Sequence, residues 1–233
     1  MRASRFLRRS AIGLALCAAA ASHATPVVLS KLTGLTGGTP AGTAVYKADL
    51  TGLGGMVQGI SITDNSSLLG GAPGQFSGFD LDAIKLSTVN CADAACASAA
   101  AGLSLFDFIG GTFFTPGTQR APADPKLFGS GPAGNTLDDT VARLALFDAN
   151  SSTVTPDGSI SLGDNGKIAF NLSSAVSTAG LFLYFGEVGD NGEVAASSID
   201  LSPTPFPEPE TYALMLAGLG VVATVTRRRR NRG

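Results

Sequence analysis

The chain has 233 residues, 44% of them hydrophobic, with 30 glycines, no tryptophan and a formal net charge of −2. That near-neutral total conceals an asymmetry, because nine of the 16 Lys and Arg lie in the first nine and last seven residues, while residues 25–206 hold seven basic against sixteen acidic side chains. An acidic middle repels phosphate backbones and excludes nucleic acid as a partner, and abundant Gly, Val, Leu and Phe with little Glu or Lys favours strands and turns over helices.

The first element is an export signal. Residues Met1 to Arg9 are basic, Ser10 to Ala21 are apolar, and Ser22-His23-Ala24 ends in the small residue a signal peptidase requires,. Cleavage is expected after Ala24, so residues 1–24 form a signal helix and the mature chain begins at Thr25. The apolar run is too short for a stable span. Arg8-Arg9 lacks the flanks of a twin-arginine signal, and Leu16 is too bulky for the lipoprotein box hinted at by Leu14-Ala15-Leu16-Cys17, so neither variant displaces this reading.

Strand-like runs then recur at Thr43–Leu50, Val57–Thr63, Gln75–Leu86, Leu103–Phe114, Arg143–Phe147, Ser159–Leu162, Lys167–Leu172, Leu181–Val188 and Val194–Leu201. They are short and bounded by turns. In Phe79-Asp80-Leu81-Asp82-Ala83-Ile84-Lys85-Leu86, apolar and polar residues alternate with the period of a strand buried on one side. The expectation is an all-β, jelly-roll-like β-sandwich over residues 25–201. The tetrapeptide Gly-Asp-Asn-Gly occurs at Gly163–Gly166 and Gly189–Gly192. Asn-Gly is a preferred hairpin corner, so two hairpins are expected, Ser159–Leu172 and Leu181–Leu201. Thr115–Asn135, rich in Gly and Pro, reads as a long surface loop.

Once Cys17 leaves with the signal, Cys91 and Cys96 remain. In an oxidising compartment they are expected to form a small-loop disulfide. The only histidine, His23, also leaves. Ser-His-Asp and Cys-His catalysis and His-ligated zinc are thereby disfavoured, and no nucleophile elbow, phosphate loop or dinucleotide fingerprint is present.

Two other chemistries stay open. Glu187 and Glu193, with Asp80, Asp82 and Asp107, are the candidates for a glycosidase-type carboxylate pair. Asp157, Asp164 and Asp190, with Asn165, are the oxygen-bearing candidates for a Ca²⁺ site, although turn chemistry accounts for the same residues without metal. The Asn-x-Ser/Thr triplets at Asn65, Asn150 and Asn171 carry little weight.

The C-terminus has three parts in order: Pro207-Glu208-Pro209, the apolar stretch Tyr212–Thr226, and Arg227-Arg228-Arg229-Arg230. Proline disfavours helix at the first part, leaving an extended substrate for a protease. The second is expected to enter the inner membrane as a transmembrane helix, at the short end of the usual length. The Arg cluster holds the cytoplasmic side, which places everything upstream on the outer face. Residues 202–211, with Pro203 and Pro205, read as a stiff linker, residues 212–226 as the span and residues 227–233 as a basic tail.

Pro207-Glu208-Pro209, the Gly-containing run Ala213–Gly220 and the terminal Arg cluster together resemble the PEP-CTERM sorting signal. The resemblance covers about the last 27 residues. It implies recognition by an exosortase, a membrane cysteine transpeptidase acting near the Pro-Glu-Pro motif, in bacteria that commonly make exopolysaccharide. The chain is therefore expected to be a non-enzymatic, exported cell-surface or extracellular-matrix protein with no resident cofactor. Its partners would be signal peptidase and exosortase during maturation, then exopolysaccharide. The alternatives are a secreted glycan-active enzyme and a calcium-dependent adhesin or lectin.

Overall fold

The computed structural model describes residues 25–37, 41–65, 72–148, 158–190, 199–207 and 209–230. The signal segment with Ala24, the Ca²⁺ candidate Asp157, the carboxylate Glu193 and the motif residue Glu208 lie outside them. The strands are β1 (Thr25–Pro26), β2 (Leu29–Lys31), β3 (Thr36–Gly37), β4 (Gly42–Asp49), β5 (Met56–Thr63), β6 (Asp80–Ser87), β7 (Thr112–Thr115), β8 (Ile160–Ser161), β9 (Lys167–Ser177), β10 (Phe182–Val188) and β11 (Ile199–Ser202). The described residues also form two α-helices, α1 (Ala94–Ala99) and α2 (Pro209–Arg230), and a single 3-10 turn at Gly74–Phe76.

The strands make two antiparallel sheets. The first runs β1-β11-β5-β9-β7 and the second β2-β4-β10-β6-β8, with β3 added beside β4. Their inner faces meet in one core. Ile60, Ile62, Ile168, Phe170, Ile199 and Leu201 come from the first sheet, and Ala48, Leu81, Leu86, Leu183 and Phe185 from the second. Each large aliphatic or aromatic side chain so buried stabilises the fold by roughly 1.5–3 kcal/mol. Period-2 alternation in β5, β6 and β9 is what presents these residues to one side.

From β4 onward, consecutive strands fall in opposite sheets, and this corrects the two expected hairpins. β8 pairs with β6 while β9 pairs with β5 and β7, so Ser159–Leu172 is a crossing between sheets. β10 pairs with β4 and β6 while β11 pairs with β1 and β5, so Leu181–Leu201 is one too. The first Gly-Asp-Asn-Gly does form a tight turn, closed by the Gly166 N–H on the Gly163 carbonyl (2.9 Å) with Asn165 left-handed at φ 63°. Its surroundings redirect the chain. Asp64 accepts from the Asn165 N–H (3.0 Å) and the Phe79 N–H (3.1 Å), tying the turn to the start of β6. The Gly117 backbone passes so near that a Cβ on Gly163 would stand 2.8 Å from its carbonyl carbon. A local turn preference sets the corner, and tertiary contacts decide where the next strand goes.

Three other runs also differ from expectation. Of Leu103–Phe114 only the part that falls in β7 is strand, because Asp107 accepts from the N–H groups of Ile109 (3.1 Å) and Gly110 (2.9 Å) and folds the stretch before it into a turn. Arg143–Phe147 is not a strand, although its Leu144 carbonyl accepts from the Ile84 N–H (3.0 Å) beyond the short β8. Thr115–Asn135 is more than a surface loop, since Leu127 and Phe128 are buried and the Phe128 carbonyl accepts from Ser161 N–H (3.0 Å).

The outer face of the second sheet is sealed. Val45, Ala83, Phe182 and Tyr184 on that face pack with Leu32, Phe147 and the buried Ala94 and Ala97 of α1. Burial on both faces suits the Phe-Leu-Tyr-Phe run that opens β10,. Asp93 caps α1 by accepting from Cys96 N–H (2.7 Å),. At its other end Lys85 Nζ donates to the carbonyls of Ala97 (3.0 Å), Ser98 (2.9 Å) and Ala100 (3.0 Å), where a cation suits the helix dipole,. A Cys91–Cys96 disulfide closes this cap. The Tyr184 hydroxyl anchors it to β10, accepting from Cys91 N–H (2.9 Å) and donating to the Val89 carbonyl (2.7 Å).

Candidate functional site

The C-terminal segment leaves the sandwich from β11 and does not run free. Asn171 points outward from β9, between the core residues Phe170 and Leu172. Its side chain accepts from the Phe206 N–H (2.7 Å) and donates to the Phe206 carbonyl (2.9 Å). In the ladder, Gly59 of β5 lies between Asn171 and Ser202 of β11. The Phe206 ring occupies the space above it, and a Cβ on Gly59 would stand 2.8 Å from Phe206 Cε2 and 3.1 Å from the Thr204 carbonyl oxygen. Lys167 Nζ lies 5.9 Å from the centre of the same ring. The expected stiff linker over 202–211 is thus corrected: Ser202 ends β11, Phe206 is latched to the first sheet, and helix has begun by Pro209. Proline suits the first helical turn because its missing N–H would be unpaired there anyway.

Helix α2 has 22 residues and takes in Pro209 and all of Arg227–Arg230. Its length is about 33 Å. Leu214, Met215, Leu216, Leu219 and Val221 are all exposed. Among the described residues no helix is long and apolar enough to cross a membrane. The apolar part, Tyr212–Thr226, covers only about 22 Å of a hydrocarbon core near 30 Å.

The carboxylates named from the sequence are brought together in part. Asp80 begins β6, and Glu187 stands on the adjacent β10 opposite Leu81. Asp80 is 7% exposed and Glu187 is 0% exposed. Among the described residues, Asp80 Oδ1 and Glu187 Oε1 have no hydrogen-bond partner. Burial pushes the Glu187 carboxyl up to about 8, and the neighbouring Asp80 adds to the rise. Asp80 is raised too, mainly by burial, against the pull of Ser161 and Arg120. Burial thus favours the protonated form of both, and both are shut away from solvent. Asp82 is sealed as well, accepting from Thr43 Oγ1 (2.6 Å). Asp107 serves its own turn at the rim of a hollow of about 270 Å³ that also meets Phe106, Phe108 and Arg143.

The described Ca²⁺ candidates do not converge. Asp164 takes a two-pronged ion pair from Arg120, with Nη2–Oδ1 at 2.7 Å and Nε–Oδ2 at 3.1 Å. Asp190 pairs with Lys31 instead. Among the described residues no group of three or more His, Cys, Asp or Glu could hold a metal.

The fold and tail together define a class, an all-β domain followed by a short proline motif, an apolar helix and a basic end. Residues 207–230 match the family model of the PEP-CTERM protein-sorting motif. The tail therefore carries the motif that directs exported proteins to an exosortase. No curated protein and no solved structure matches the chain.

The Asn171–Phe206 contact was not foreseen. Asn171 stood out only as part of a glycosylation triplet, and its partner lies 35 residues on. An isolated Gly inside a strand run, Gly59, was the one available signal, since it often marks close approach by another backbone.

Proposed function

We propose that the mature protein is a non-catalytic component of the cell surface or extracellular matrix. Its sandwich binds or packs within an exopolysaccharide layer after a signal peptidase and an exosortase have removed the two ends. The observation that carries this is the sorting motif at residues 207–230, directly joined to a domain whose clustered carboxylates Asp80 and Glu187 are sealed. An acidic surface of small polar residues suits a hydrated, cation-bridged polymer. The exposed leucines and methionine of α2 support an inner-membrane stage, because a contiguous apolar surface of that kind calls for lipid or a partner,. With flanking residues drawn in and Arg227–Arg230 reaching the headgroups, a short helix can serve as a temporary anchor.

The test is cosedimentation of the purified residues 25–206 with exopolysaccharide from the native host, run beside a turnover assay on the same polymer. Binding without release of reducing ends is expected. Release of reducing ends that Glu187→Gln abolishes would replace this reading with the glycan-active enzyme.

A further inference from the structure

We propose that Asn171 and Gly59 form a latch on Phe206 that must open before the sorting motif can be processed, so that both are positioning residues for that reaction. The proposal rests on the sorting reading above. Both hydrogen-bonding groups of the Phe206 backbone are occupied by one side chain, and its ring fills the slot over Gly59. Upstream, the Thr204 N–H is held by Ser202 Oγ (3.3 Å). Downstream, only Pro207 and Glu208 separate Phe206 from Pro209, where α2 starts. The latched chain thus offers two residues between a folded sheet and a helix. Phe206 and Pro209 can stand no further apart than about 10 Å.

An enzyme that cuts a peptide grips several consecutive residues in extended form through their backbone groups. In the latched state the residue immediately before the motif has none to offer. Opening frees Pro203 to Phe206 as additional chain, without disturbing the core, because Asn171 and Gly59 face outward. The latch links processing to the folded domain, so a chain whose first sheet is intact is processed more slowly than one whose latch is weakened.

The variants Asn171→Ala and Gly59→Ala break the latch from the sandwich side and leave residues 202–230 unchanged. Pulse-labelled full-length chains in the native host are followed by intact mass from precursor to tail-less product, beside a variant with Pro207, Glu208 and Pro209 all replaced by alanine. Both latch variants are expected to be processed about fivefold faster, as the loss of one or two net hydrogen bonds implies. Asn171→Asp, which can still accept from the Phe206 N–H, should fall between them and the wild type. Unchanged or slower processing of the latch variants, with the triple-alanine chain still blocked, overturns the latch and leaves sorting intact. Normal processing of the triple-alanine chain overturns the sorting reading itself.

Discussion

The two outer faces of the sandwich are covered in opposite ways. On the second sheet, α1 is tied down by a local disulfide, capped at both ends by Asp93 and Lys85, and pinned to β10 through Tyr184. On the first sheet, the described cover near the centre is the tail itself, held by Asn171 and the slot over Gly59. The first cover is closed on itself by the short Cys91–Cys96 loop and the Asp93 cap. The second belongs to a segment whose far end is a sorting signal. One face is built to stay shut, and the other is joined to the segment that carries the sorting motif.

The largest expected effect is that of pH, through two buried carboxyls of the second sheet. The carboxyls that change state, Glu187 and Asp80, stand on β10 and β6 of the second sheet. The native Glu187 pKa of about 8 lies above its ordinary 4.5, so between those values the folded state holds a proton that the unfolded state has lost. Their contribution is therefore fully present at low pH and is lost as pH rises through the native value. Stability should fall on the order of 1 kcal/mol per pH unit from about pH 5 to pH 8. Denaturant titrations across that range measure it, and Glu187→Gln should flatten the slope.

Removing the Lys85 cap is the next largest change. Lys85→Ala strips a charged donor from three carbonyls at the end of α1, and also the contact of its Nζ 5.1 Å above the Phe147 ring. A loss of about 2–3 kcal/mol is expected in chemical denaturation. Replacing both cysteines by serine opens a loop of small size. It should cost about 2 kcal/mol, with the protein still folded by circular dichroism. The smallest effect belongs to the other face. Asn171→Ala should lower global stability by about 1 kcal/mol or less, while limited proteolysis begins to cut near Pro203–Phe206. Equal protection of that segment in the wild type and variant would contradict the contrast between the faces.

Much of this was legible in the residues. Alternation across Phe79–Leu86 marks β6 almost to its ends, and the order of Pro-Glu-Pro, apolar run and Arg cluster marks the tail. What failed was partner choice. Gly-Asp-Asn-Gly specifies a tight corner, but the direction of the following strand depends on Asp64 and Gly117, which are remote in sequence. The carboxylates were recognisable by type and not by burial, because Glu187 looks alike in a strand whether one face is covered or both. The latch was hidden for the same reason. An Asn in a strand reads as a solvent-facing residue until another segment is seen to lie across it.

The central claim is that this domain is an exported cargo whose tail is a removable address. Its most direct test is the intact mass and cell fraction of the protein from its native host, with Pro207-Glu208-Pro209 present or replaced by alanines. The account predicts that the unaltered chain loses residues near 207–230 and leaves the inner membrane, while the alanine version keeps its tail and stays there. A tail retained in both would contradict it and make the protein a permanently anchored domain.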